Sequence, residues 1–237
     1  MDWSDHKAGN TGASTRMSIE VETKDCTGLS DVELAELADL CAESPFPHEI
    51  GAITKEAESW VLVSQAREDG KLKGFTFSTL ERIGGTPCVL IGMGSIKRSS
   101  KRDTVLRAIM QEELRRAVLA FPDEDVLVAA RLTDPSGYEA FKALSDLIPR
   151  REHKASGEER AWGRRLAKRY GIVPSRYADR QFRVKGDGSL PVVFDHECVK
   201  RERVAEFEEF FADLDPESGE CVIAFGWAMA EDLEKLA

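Results

Sequence analysis

The chain lacks the signatures of several large functional classes. Its five cysteines (Cys26, Cys41, Cys88, Cys198, Cys221) are scattered, with no CxxC pair and no histidine at metal-ligand spacing. Neither a structural zinc site nor a disulfide framework is expected, and the thiols read as reduced in a cytoplasmic setting. The four histidines (His6, His48, His153, His196) stand far apart. No apolar stretch approaches the roughly 18 residues of a membrane span. The N-terminus, MDWSDHKAGNTGAST, has no apolar signal core, so residues 1–16 are expected to form a disordered leader. IGMGSIKRS lacks the spacing and the Gly-Lys-Ser/Thr end of a P-loop, and its GxG lacks the third glycine of a dinucleotide fingerprint. PSGYEAF contains no GxSxG elbow. Cys88 has no histidine to activate it, and an unpaired cysteine is usually a small buried hydrophobe.

What is present is a chain of 237 residues, 42% hydrophobic, enough to bury a substantial core. The net charge of −10 argues against a general nucleic-acid binder. The charge is uneven. Ser18 to Glu58 carries 11 acidic and 2 basic residues, whereas Lys97 to Arg116 carries 7 basic and 3 acidic. Arg150 to Arg183 carries 11 basic and 4 acidic residues, and the tail from Asp195 is acidic again. Such runs are ordinarily solvated helix faces. The sharper reading is that an acidic protein concentrates positive charge where an anion binds.

Periodicity gives an ordered set of elements. MSIEVE (17–22) alternates like a strand, and Ser30 with Glu33 forms a capping box ahead of Leu34, Leu37, Ala38 and Cys41. Two prolines in SPFPHE end that helix. Strands are expected over 57–67, 72–82 and 88–96, joined at Asp69-Gly70 and Gly84-Gly85. The third is apolar nearly throughout, as a central strand should be. A helix over TVLRAIMQEELRRAVLAF follows, then a strand over 125–132 and a helix from Pro135 to about Leu147. The strand–helix–strand step predicts parallel pairing within an otherwise antiparallel sheet. Beyond Arg150, a helix over 158–170, short strands over 181–185 and 192–195 around Gly186-Asp187-Gly188, an acidic helix over 204–214 and a last strand over 221–227 are expected. The fold class is therefore α/β (α+β), with a mixed, mostly antiparallel sheet flanked by helices. Residues 17–150 read as the core and 151–237 as an extension that completes the sheet.

This order, with the basic loop KRSSKRD between a glycine-containing strand and a helix, resembles the GNAT superfamily of acyl-CoA-dependent N-acyltransferases. AARLTDPSGYEAFKA (129–143) also resembles the ARxxNPxxY stretch of some GNAT relatives, with Asp134 at the Asn position, Pro135 next and Tyr138 at the aromatic position. In that family the fourth and fifth strands splay apart around the pantetheine arm of CoA. The loop that follows offers helix N-terminal amides to the pyrophosphate, where unpaired N–H groups and the helix dipole favour negative charge.

The resemblance implies that Gly94, Ser95 and Ile96 line the pantetheine of acetyl-CoA or another acyl-CoA, and that Lys97, Arg98, Lys101, Arg102, Asp103, Thr104 and Val105 surround its phosphates. The family's loop glycines fall on Thr104 and Leu106 here. Either the cationic side chains compensate, or the site does not bind CoA. The family's general acid maps to Tyr138, or to Phe141 if Asp134 is aligned differently. The fourth strand offers no carboxylate as general base; Glu81, His48 and Glu49 are the candidates, each more ordinarily a surface residue. The implied activity is acyl transfer, most simply of acetyl, to a small-molecule or peptide amine by a protein that could be a homodimer. The alternative is a catalytically inactive GNAT-shaped binding or regulatory protein. Nucleic-acid binding through 150–183 is disfavoured, because the aromatics interleaved there are few.

Overall fold

Turn chemistry sets the sheet. Asp69 and Gly70 both take positive φ, 50° and 74°, the two-residue geometry that matches strand twist. They join β2 (Leu62–Glu68) to β3 (Lys71–Ile83), which pairs with β4 (Thr86–Ile96). The computed structural model describes residues 19–236; the expected leader, 1–16, lies outside them. Before β2 come β1 (Glu20–Asp25), α1 (Asp31–Cys41) and α2 (Ile50–Ser59). After β4 come α3 (Arg102–Ala120), β5 (Val126–Leu132), β6 (Ser145–Ile148) and α4 (Gly157–Arg169). Three two-residue strands follow, β7 (Tyr177–Ala178), β8 (Arg183–Val184) and β9 (Phe194–Asp195), then β10 (Cys221–Ala228) and α5 (Ala230–Leu233).

The sheet runs β1-β2-β3-β4-β5-β10-β8-β7, antiparallel except where β4 meets β5 and β9. This is the mixed, mostly antiparallel architecture with a central parallel step that the sequence implies. Both faces are covered. Val105, Leu106, Ile109 and Leu114 of α3 pack with Val128, Ala130 and Phe207 on one side, and Leu37, Ile53 and Leu166 of α1, α2 and α4 pack with Leu90, Ala129 and Phe225 on the other. Ser30 and Ser156 both form capping boxes, with Glu33 and Glu159. All five cysteines are buried and unbridged. No helix among the described residues is long and apolar enough to cross a membrane.

Three local expectations are corrected. The strand expected from residue 57 begins at Leu62, because Ile53 anchors a helix that runs to Ser59. The helix expected over 135–147 is a 3-10 helix, Pro135–Phe141, held at its start by the Asp134 carboxylate accepting the Ser136 N–H at 2.8 Å. Beyond it β10 recruits Ser145–Ile148 as a strand, and tertiary pairing overrides the helical pattern. The acidic helix expected over 204–214 is a 3-10 segment, Ala205–Phe210. The short strands expected around Gly186–Gly188 form as β8 and β9, each two residues long, β8 joining β10 and β9 joining β4.

Candidate functional site

The parallel pairing of β4 with β5 ends at Leu90↔Ala129. Immediately beyond, the β3–β4 register slips between Thr76↔Gly94 and Ser78↔Ile91, a bulge that places one extra residue on β4, of the kind that bends a strand, where its pairing with β5 stops. At the fork Tyr170 inserts its hydroxyl between the strands, 3.1 Å from the Ile91 carbonyl and 2.9 Å from the Ala129 carbonyl. It thereby serves acceptors that the divergence removes from the ladder. Burial pushes its phenol well above the usual pKa.

The gap is filled by the chain itself. β9 runs parallel to β4, with Gly94 opposite Phe194 and Ser95 opposite Asp195, and it also lies against β5. The Gly94 N–H donates to the Val193 carbonyl at 3.3 Å. A Cβ on Gly94 would stand 2.8 Å from the Phe194 ring and 2.8 Å from the Phe75 carbonyl, so only glycine admits this approach. Phe194 is 2% exposed. Upstream, the Pro191 carbonyl lies 3.3 Å from His48 Nε2. The cavity left between that loop and β4, lined by Cys41, His48, Met93 and Gly94, measures about 10 Å³, the scale of one water. Downstream, residues 195–199 lie over the N-terminus of α3.

The basic loop is neutralised at that end. Arg98 makes a two-pronged ion pair with Asp195, its Nη2–Oδ1 contact at 2.9 Å, and both side chains are largely buried. Arg102 donates to the Glu197 carbonyl and, at 3.1 Å, to the Cys198 carbonyl. Lys97 pairs with Glu43 at 2.9 Å and Lys101 with Glu68. Asp103 accepts the Val199 N–H at 3.0 Å and lies 3.2 Å from His196 Nε2. His196 is 3% exposed and neither ring nitrogen makes an aligned hydrogen bond; burial lowers its pKa to about 4 against the opposing pull of Asp103 and Asp195. The backbone N–H groups of Lys101, Arg102, Thr104 and Val105 already donate to Ser99 or Lys101 oxygens.

Acyl-CoA does not fit this arrangement. The path that the resemblance assigns to pantetheine is taken by Val193–Asp195. The cations assigned to its phosphates, and the amides of Lys97, Lys101, Arg102, Thr104 and Val105, have partners within the chain, and the Asp103 carboxylate stands at the same helix end. The residues expected to bind the cofactor, Gly94–Ile96 and Lys97–Val105, lie together: Gly94, Ser95, Arg98, Arg102 and Asp103 contact residues 193–199, while Lys97 and Lys101 pair with Glu43 and Glu68.

The acid–base candidates lie apart from one another. Tyr138 is 2% exposed, stacks on Phe207 with ring centroids 3.8 Å apart, and donates its proton to the Pro149 carbonyl at 3.1 Å. It belongs to the core on the α3 side, and burial raises its pKa well above the usual phenol value. Phe141, the other register, is fully buried beside it. Glu81 pairs with Arg169 and sits opposite Cys88, at the far end of β4 from Gly94. Glu49 precedes the first turn of α2. Cys88 is buried and its thiol is pushed up to about 11. Among the described residues no cluster of His, Cys, Asp or Glu could hold a metal ion. Sequence reasoning missed Tyr170 and Phe194. The complementarity of VVFDHE (192–197) to KRSSKRD (97–103) is the signal that could have found the second.

No family model matches the chain, and no curated protein matches it in sequence. Several solved N-acetyltransferase structures are similar to it. Ribosomal-protein-S18-alanine N-acetyltransferase from Escherichia coli is similar at a TM-score of 0.40 and 10% identity, covering 59% of this chain and 86% of that one. IAA acetyltransferase from Bacillus cereus is similar at 0.39 and 10%, covering 55% and 80%. Aminoglycoside N-acetyltransferase AAC(6')-Iy, solved with CoA, is similar at 0.35 and 11%, covering 66% and 90%.

Proposed function

We propose that this protein is a GNAT-shaped binding or regulatory protein, and that it does not catalyse acyl transfer from CoA to an amine while residues 191–199 lie in the gap. The observation that carries this reading is the threading of Val193–Asp195 between β4 and β5, with Arg98 and Arg102 bound to the residues that follow. An acyl thioester would have to displace a buried phenylalanine and a largely buried bidentate ion pair, whose separation leaves uncompensated charge. The acceptor amine expected from the sequence loses its support with the cofactor.

A second reading has one observation in its favour. β9 is only two residues long and its upstream hydrogen bond to Gly94 measures 3.3 Å, so a departing segment would open an N-acyltransferase site that is closed at rest.

Calorimetric titration of CoA and acetyl-CoA into the full chain tests both. Wild type is expected to give no binding up to about 1 mM. Micromolar binding by wild type, abolished in Arg98→Glu/Arg102→Glu, would establish the acyltransferase and sink the proposal. Binding seen only in Phe194→Ala would establish the gated enzyme.

A further inference from the structure

We infer that the cavity beside the fork is a binding site for a small carboxylic acid with a short aliphatic body, held by Arg131. The inference goes beyond the function proposed above; the two share Pro191 and Val192 as a wall, but this one turns on Arg131 and the other on Phe194, Arg98 and Arg102, so the tests are separable.

Arg131 lies near the end of β5 on the face that Leu127 and Ala129 bury against α4. Its guanidinium carbon stands 4.9 Å from the centroid of the Tyr170 ring. Tyr170 is itself fixed by its hydroxyl contacts to β4 and β5. Stacking of this kind orients the guanidinium plane and leaves its edge donors available. Those donors find nothing within the chain: Arg131 makes no ion pair or hydrogen bond among the described residues, and its Nε is buried without an acceptor. A buried donor without an acceptor costs about 1–3 kcal/mol and in a native fold calls for an explanation. Most arginines of this chain answer it differently. Arg98, Arg164, Arg169 and Arg183 each have a carboxylate.

Arg131 borders a cavity of about 140 Å³ with Tyr170, Ile172, Arg176, Asp187, Ser189 and Val192 among its walls. The other charges there satisfy one another. Arg176 donates to the Lys185 carbonyl at 2.9 Å and pairs with Asp187, and the Asp187 carboxylate also accepts the Ser189 N–H at 3.1 Å and its hydroxyl. Its oxygens are thus taken by Arg176 and Ser189, and no Asp187–Arg131 contact forms. What is left facing the cavity is one oriented cationic fork with apolar walls from Ile172, Leu190, Pro191 and Val192. A planar two-oxygen anion matches the fork, and a short aliphatic body matches the walls. A tetrahedral dianion would find only one cation without a carboxylate partner, since Arg176 is already paired with Asp187. A cavity of this size accepts a few heavy atoms, as an engineered cavity of about 150 Å³ accepts benzene.

The test is calorimetric titration of the full chain with butyrate, acetate and inorganic phosphate at neutral pH and low salt. Butyrate is expected to bind most tightly, acetate more weakly and phosphate least. Arg131→Met should weaken butyrate at least about tenfold, and Arg131→Lys should weaken it by less, because a point charge replaces a fork. Absence of butyrate binding at about 10 mM, unchanged affinity in Arg131→Met, or a preference for phosphate would each overturn the assignment. If Arg131→Met does not fold, Arg131→Lys and the order among the three anions decide it.

Discussion

Glu113 is the residue whose chemistry departs furthest from solution. It projects from α3 onto the sheet with no exposure, and its carboxyl accepts from the hydroxyls of Ser64 at 2.8 Å, Thr76 at 3.1 Å and Ser78 at 2.9 Å. Desolvation raises its pKa more than those hydroxyls lower it. A folded-state pKa above the unfolded value means that the stability it contributes is complete below about pH 4.3 and is lost as pH rises through the folded pKa. Urea unfolding of wild type and Glu113→Gln at pH 5 and pH 8 checks this: the advantage of the amide should grow with pH. A constant difference would show that the carboxyl is ionised in both conditions. Glu113→Ala should cost about 2–4 kcal/mol at pH 5, since it leaves three buried hydroxyls without their partner and opens a cavity, and less at pH 8. The same residue shows what sequence reasoning sees least well. Its place on α3 was legible from periodicity, but the three hydroxyls that receive it lie on β2 and β3, 35 to 49 positions away.

At the scale of elements, residues 191–199 form a strap whose hold we expect to depend on pH. His196 is buried against Asp103 of α3, whose other neighbours are the Val199 N–H and, at 3.6 Å, Arg203. Asp195 on its own segment and Arg102 on α3 complete its charged surroundings. Its pKa is lowered, so its contribution is present above the unfolded value of about 6.5 and is lost as pH falls through about 4. The free energy involved is on the order of 3 kcal/mol at most. Hydrogen exchange over 190–200 should therefore quicken between pH 6.5 and 4, after correction for intrinsic rates, relative to the β3–β4 ladder. In His196→Leu that pH dependence should vanish; equal acceleration in both proteins would dismiss the histidine. The strap also marks where the sequence became unreadable. The capping box of Ser30 and Glu33, the Asp69-Gly70 turn and the apolar run of β4 are local signals with local causes, and the structure keeps all three. β9 has no such cause, being two residues paired in parallel with a strand about 100 positions earlier. The partners of the loop from Lys97 to Arg102 are equally illegible locally, because Asp195 and Glu197 lie almost 100 positions along the chain. Likewise the helical pattern over 135–147 gave way because β10, distant in sequence, pairs with Ser145–Ile148.

Across the whole molecule, the extension after residue 150 is inseparable from the sheet it joins. β10 pairs with β5 from Val222↔Leu132 to Ala228↔Val126 and buries Val222, Ile223 and Phe225 almost completely. Without it β5 becomes an edge strand whose residues from Val126 to Ala130 are now fully buried, a long apolar edge of the kind that templates association. Tyr170 would leave the fork, Phe194 would leave the gap, and Arg98 would lose Asp195. The core 17–150 is therefore a unit of sequence, and we expect it not to fold alone. Expressed as that fragment, it should be unfolded or aggregated by circular dichroism and sedimentation, while the full chain should unfold in one transition. A monomeric fragment with a cooperative melt would show instead that 151–237 is a separable domain laid on a complete fold. The strap would then be a ligand of the core, to be studied by adding it back as a peptide.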